Sequence, residues 1–283
     1  MKMFRNILAG AIMLMMASFA AAQTKYVILS VDTNKVFSVN ASSTASIIPV
    51  QEWEYTATTN QQWTLLDAGN GSFYIRNAAN GKALDINGTT RGVTANVRTF
   101  RQGLARQQWL INDRGDGVKE IANITSRMRL EVSGMTLDNG TPIRQWLGLS
   151  EGGLVGWLLV PVSNNAPTCS SVTSDGPVSL LDTYYYVYAN DVQNTVRLVL
   201  KTWNDVTGPQ NAVTTPGWYD TFRHCWSGPV NLYNGVEGVY TTEVWGMGTD
   251  GTWHLLGQSS VLTITPPSIP RPPRRGGPVE VLP

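Results

Sequence analysis

Charged side chains are scarce in this 283-residue chain, and 21 Lys and Arg against 20 Asp and Glu leave a formal net charge of +1. Nothing gathers the cations into a stripe, which excludes a protein built to grip nucleic acid. Histidine is limited to His224 and His254, and cysteine to Cys169 and Cys225. No His or Cys cluster has zinc-ligand spacing, and no Gly-x-Ser-x-Gly or phosphate loop occurs. No metal, cofactor or catalytic residue is therefore expected. Glu52 and Glu54 alternate along a predicted strand and read as a solvated face, not as the two acids across a cleft that a glycosidase needs. Long helical periodicity is also missing. Glycine, by contrast, numbers 27 and tryptophan 10, and short apolar runs parted by Gly-containing turns predict an all-β chain.

The only long apolar stretch is N-terminal. Lys2 and Arg5 precede Ile7 to Phe19, and Ala20-Ala21-Ala22 offers a small-residue cleavage site before Gln23. Residues 1–22 read as a secretory signal peptide, and no later stretch is long enough to span a bilayer. The expected location is secreted, periplasmic or cell-surface. In such an oxidising compartment Cys169 and Cys225 are expected to pair. The bridge would close a loop of 56 residues, adding roughly 4 kcal/mol in the chain-entropy model, and would take the thiol beside His224 out of nucleophilic work. Two buried free thiols are the alternative. Asn40, Asn87 and Asn123 head glycosylation sequons.

Internal repetition organises the first half. Trp63, Trp109 and Trp157 recur at intervals of 46 and 48 residues. Ahead of each lies a similar segment: Val36-Phe37-Ser38-Val39, Ala83-Leu84-Asp85-Ile86 and Arg129-Leu130-Glu131-Val132. Each unit is too short to bury a core alone, so three units sharing one core are predicted over 23–162. Asn70-Gly71, Asn80-Gly81, Asp116-Gly117 and Asn139-Gly140 supply hairpin turns, and the three tryptophans are expected in the shared core.

Asn60-Gln61-Gln62-Trp63 and Gln107-Gln108-Trp109 are Gln-x-Trp motifs, decayed to Val155-Gly156-Trp157 in the third unit. At this interval they resemble the ricin-B-type β-trefoil lectin family, over about Lys25 to Val162. The resemblance implies up to three shallow sugar pockets, each with an acid, an aromatic platform and polar residues near the motif. Carried over by spacing, the first pocket holds Gln51, Trp53, Asn60 and Gln61, with Ser38 in place of the acid. The second holds Asp85, Phe100 and Gln107, with Arg98 and Arg106 replacing amide residues. The third holds Glu131 and Trp146, with Arg144 replacing an amide and Leu154 and Val155 replacing the motif polar pair. The second pocket ranks first because it alone keeps the Asp. A ring can lie against the C–H face of a sugar while a carboxylate accepts from its hydroxyls.

Residues 163–178 read as a linker. Residues 179–265 read as a second strand-rich unit, with Val196, Leu198 and Leu200 alternating with polar residues. Turns are expected at Asn234-Gly235 and Asp250-Gly251. The unit is similar to Ig-like repeats of bacterial surface proteins, implying a small β-sandwich like those of Ig or fibronectin type. Trp203, Trp218 and Trp245 read first as core packing and otherwise as an aromatic surface. The Pro-rich tail 266–283 is expected to be disordered. The expected function is non-enzymatic attachment to glycans or polysaccharide. The alternatives are a surface adhesion protein with a sugar-inactive trefoil and a glycosidase carrying the trefoil as an accessory module. Nothing specifies an oligomeric state.

Overall fold

The computed structural model describes residues 23–115, 117–147, 156–176, 178–179, 182–232 and 236–264. The expected signal peptide, the Leu154-Val155 remnant, Asp116, the Asn234-Gly235 turn and the Pro-rich tail lie outside the described residues.

The first half is a β-trefoil. Its first unit contributes β1 (Lys25–Ser30), β2 (Val36–Ser38), β3 (Ile48–Pro49), β4 (Gln51–Trp53) and β5 (Trp63–Gly69). The second contributes β6 (Ser72–Asn77), β7 (Ala83–Asp85), β8 (Asn96–Arg98) and β9 (Gln108–Asp113). The third contributes β10 (Lys119–Asn123), β11 (Arg129–Val132), β12 (Ile143–Trp146) and β13 (Trp157–Pro161). Trp63, Trp109 and Trp157 are fully buried, and each ring N–H donates to the carbonyl of Phe37, Leu84 or Leu130 at 3.2, 3.0 and 3.2 Å. One tryptophan per unit thus fills the shared core and satisfies its own polar atom. At the pseudo-threefold axis the backbone closes a ring: Val50 N donates to Ala95 O, Ala95 N to Ile143 O, and Ile143 N to Val50 O, at 3.0, 2.8 and 3.0 Å.

That ring defines which residues are equivalent. Since Val50, Ala95 and Ile143 correspond, so do Trp53, Arg98 and Trp146. The hairpin ladders agree, placing these three opposite Val36, Ala83 and Arg129. The second hairpin is two residues shorter than its fellows, so counting from Asp85 overshoots. Arg98, not Phe100, occupies the aromatic position, and Asn96, not Arg98, matches Gln51 and Arg144.

The second half contains two sheets. One orders β14 (Ser171–Ser174), β16 (Tyr184–Asn190), β20 (Cys225–Asn231) and β19 (Trp218–Asp220). The other orders β15 (Val178–Ser179), β22 (Trp253–Ile264), β21 (Gly238–Met247), β17 (Arg197–Asn204) and β18 (Val213–Pro216). Tyr185, Val187, Ala189 and Trp226 from the first sheet meet Leu198, Leu200 and Val244 from the second in one buried cluster. Alternation along each strand turns the next residues outward. Trp203 and Trp245 are half-buried on the outer side of one sheet, and Trp218 is exposed on the other. Expected core packing of these three is thereby corrected, and they do not form one surface. Residues 163–178, read as a linker, include β14.

The two cysteines are free thiols, Cys225 buried and Cys169 half-buried, so the expected bridge is absent. Strand order gives the reason. Cys169 leads into β14 and Cys225 begins β20, with β16 between them. Two strand spacings put them about 10 Å apart, beyond the reach of a disulfide. Burial pushes both thiols up in pKa, which keeps them protonated and unreactive.

The two halves share apolar packing. In β1, Ile28 enters the trefoil core, whereas Val27 and Leu29 face the other way and join the cluster of the second half, with Val36, Tyr55 and Val160. The Tyr55 hydroxyl donates to Thr249 O at 2.6 Å, Asn34 Nδ2 to Gly217 O at 2.6 Å, and Ser163 N to Thr249 Oγ1 at 3.0 Å.

Candidate functional site

The three pseudo-equivalent positions differ sharply. In the first unit, the β2–β4 hairpin and the short helical turn Thr59–Gln61 enclose an open cleft of about 340 Å³, lined by Ser38, Asn40, Gln51, Trp53, Thr56 and Asn60 among others. That volume is in the range of small-ligand sites. The Trp53 side is open, the residue being 41% exposed. Behind it stands the Asn139-Gly140 turn of the third unit. Gly140 has φ +92°, and a Cβ there would approach Trp53 to 3.5 Å; Asn139 Oδ1 accepts from Glu54 N at 3.0 Å and from Lys35 Nζ at 2.9 Å.

Polar groups in this cleft are uncharged. The Gln51 amide makes no hydrogen bond among the described residues, so its N–H and carbonyl are open to a ligand. Asn60 Nδ2 donates to Val39 O at 2.8 Å and Ser38 Oγ at 3.3 Å, which leaves its side-chain Oδ1 without a donor among the described residues. Gln61, carried over as a ligand residue, is buried and holds the wall instead. It accepts from Thr56 N at 2.8 Å and Thr56 Oγ1 at 3.0 Å, and donates to Glu54 O at 2.7 Å. Thr56 escaped the sequence reading, Asn40 entered it only as the head of a sequon, and Asn139 and Gly140 only as turn formers.

Glu52, between Gln51 and Trp53, points away from the cleft. It is fully buried, correcting the expected solvated face, and accepts from Thr33 Oγ1 at 2.7 Å through one oxygen while the other has no partner among the described residues. Burial raises its pKa to about 7, opposed by the Thr33 bond and by Lys35.

In the second unit the position is filled. Asp85 is completely buried, and its Oδ2 accepts from Arg106 Nε and Gln107 Nε2, both at 3.0 Å. Arg98 Nε lies 3.4 Å from Oδ1. Gln107 also donates to Thr99 O and accepts from Arg101 N, so it braces a loop. Phe100 meets the edge of Tyr74 at 5.0 Å and lies under Arg76 at 4.7 Å. The expected first-ranked pocket of Asp85 and Phe100 is therefore not an open acid beside an open ring.

The third unit repeats this by other means. Glu131 is buried, and one of its oxygens accepts Arg144 Nε at 2.8 Å and Nη2 at 2.7 Å. The same guanidinium lies 4.1 Å from the Trp146 ring centre, with Arg91 at 5.4 Å. Arginine pairs with one oxygen of the acid, the other having no partner among the described residues, and covers the ring. Of the sequon residues, Asn123 is buried and spends its amide on Arg106 O and Gln108 O, so it is no glycosylation acceptor.

A threefold strand fold with one open, aromatic, uncharged cleft defines a lectin-like β-trefoil. The ricin-type beta-trefoil lectin domain-like family matches residues 18–100 and 89–146. Among solved structures, a designed threefold-symmetric protein is similar at 29% identity and TM-score 0.46, over 48% of this chain and 97% of that one. An exo-beta-1,3-galactanase from Clostridium thermocellum is similar at 27% identity and TM-score 0.45, over 49% of this chain and 30% of that one. The Macrolepiota procera ricin B-like lectin in complex with lactose is similar at 23% identity and TM-score 0.42, over 49% and 96%. Comparison with curated proteins gives no match.

Proposed function

We propose that the protein is an exported, non-enzymatic glycan-binding protein that takes a neutral sugar in the cleft of its first trefoil unit. One observation carries this reading: the open Trp53 ring stands in the same cleft as the unpartnered Gln51 amide. The ring offers a face to sugar C–H groups, and Gln51 and Asn60 offer both kinds of hydrogen bond to hydroxyls. No carboxylate lines the cleft, which suits binding and not glycoside cleavage. The Lys2-to-Ala22 leader supports export to a secreted, periplasmic or cell-surface location, and the paired sheets of the second half are read as an Ig-like sandwich attached to the lectin unit. Calorimetric titration with lactose, galactose and N-acetylgalactosamine tests the reading. The expected result is weak binding by the parent that Trp53→Ala reduces about two- to tenfold; equal heats from both proteins would reject the cleft.

A sugar-inactive adhesive trefoil is the second reading, favoured by the arginines that fill two of the three positions. Absence of any glycan binding together with retention on a protein surface would support it.

A further inference from the structure

We infer that the outer face of the second half's four-stranded sheet carries a separate groove for a neutral polysaccharide chain. β20 runs between β16 and β19 with small outward residues, Ser227 and Pro229. On one flank Tyr188 is in register with Ser227 and Tyr186 with Pro229; on the other, Trp218 is in register with Ser227. The result is a low floor between aromatic walls, a groove of about 420 Å³. Tyr186 and Trp218 are each 37% exposed, and neither the Tyr186 hydroxyl nor the Trp218 ring N–H has a hydrogen-bond partner among the described residues. Tyr188 is committed, its hydroxyl donating to Asp175 at 3.2 Å and its ring lying 5.2 Å from the Arg223 guanidinium.

The chemistry of the groove selects its occupant. Arg223 donates to Asp220 at 3.0 Å, so the acid and base at its end neutralise each other and no unpaired charge lines it. A polyanion finds no free cation there. Rings tipped with hydrogen-bonding groups over a floor with one hydroxyl match a ligand that alternates C–H faces with hydroxyls. The groove also borders the trefoil. Trp218 lines an interdomain cleft together with Glu54, the residue that follows Trp53. One polymer touching both sites would gain by effective concentration without either pocket being strong.

Affinity electrophoresis of the full chain through gels containing β-1,3-galactan, arabinoxylan or mixed-linkage β-glucan tests the proposal. The proteins compared are the parent, Trp53→Ala, Tyr186→Ala, Trp218→Ala and the Tyr186→Ala/Trp218→Ala double variant, each first shown to melt cooperatively. If the double variant does not fold, the single variants are read, since both side chains are exposed. The expected result is retardation of the parent by at least one polymer, weakened about two- to tenfold in the single groove variants, whose lactose titration stays that of the parent. Groove variants retarded like the parent would overturn the proposal and leave the trefoil cleft to the Trp53→Ala result. Loss in the groove variants with none in Trp53→Ala would support the groove as the polymer site acting without the cleft. A parent retarded by no polymer would overturn the groove and leave the trefoil cleft to its lactose titration.

Discussion

Arg144 serves as a built-in ligand for Glu131: two guanidinium nitrogens reach one carboxylate oxygen at 2.8 and 2.7 Å, while the same group lies against Trp146. The third trefoil position is closed by the chain's own side chain, as Asp85 is closed by Arg98 and Arg106. Trp146→Ala and Phe100→Ala should accordingly leave glycan affinity unchanged, whereas a fall in lactose titration for either would show that the arginines move aside.

The first cleft should behave in the opposite way. A ring contact worth about 0.5–1.5 kcal/mol predicts a loss of two- to tenfold for Trp53→Ala. Gln51→Ala, which removes a donor and an acceptor, should weaken binding by a similar factor. Both side chains are solvent-facing at the cleft, so thermal melts should move by little.

Removing the closing arginines should cost more than removing the acid. Asp85 is fully buried, whereas Arg98 and Arg106 reach solvent. Asp85→Ala lets the cations turn outward. Arg98→Ala/Arg106→Ala leaves a buried carboxylate with Gln107 alone and should destabilise by about 3–5 kcal/mol. Urea titration of the two variants checks the order.

Glu52 makes stability depend on pH. Its folded pKa of about 7 exceeds the ordinary 4.5, so between these values the native state binds more protons than the unfolded chain. The contribution is fully present below about pH 4.5 and is lost as pH rises through about 7. At 1.36 kcal/mol per unit this amounts to about 3 kcal/mol. Glu52→Gln stays neutral and still accepts from Thr33. It should match the parent at pH 4 and melt higher at pH 8; identical melts at both pH values would refute the assignment.

The repeat, its tryptophans and the all-β class were legible because a threefold core forces the same residue into the same place every 46–48 residues. The site was less legible. Spacing from Asp85 led to Phe100, but the shorter second hairpin puts Arg98 there, as the Val50–Ala95–Ile143 backbone ring and the hairpin ladders reveal. Nor does spacing show whether an acid is open. Arg98, Arg106 and Arg144 read as replacements of amides, yet their reach lets them neutralise Asp85 and Glu131. The seam between the halves did leave a mark, because Val27-Ile28-Leu29 is an unbroken apolar run, the pattern of a strand covered on both faces.

That doubly covered strand has a mechanical meaning. With Val27 and Leu29 packed into the neighbouring unit and Tyr55 tied to Thr249, the halves cannot swivel as beads on a string. The gap between Trp53 and Trp218 becomes a fixed gauge, and a polymer held at both proposed sites would have to match it in the pitch of its repeat.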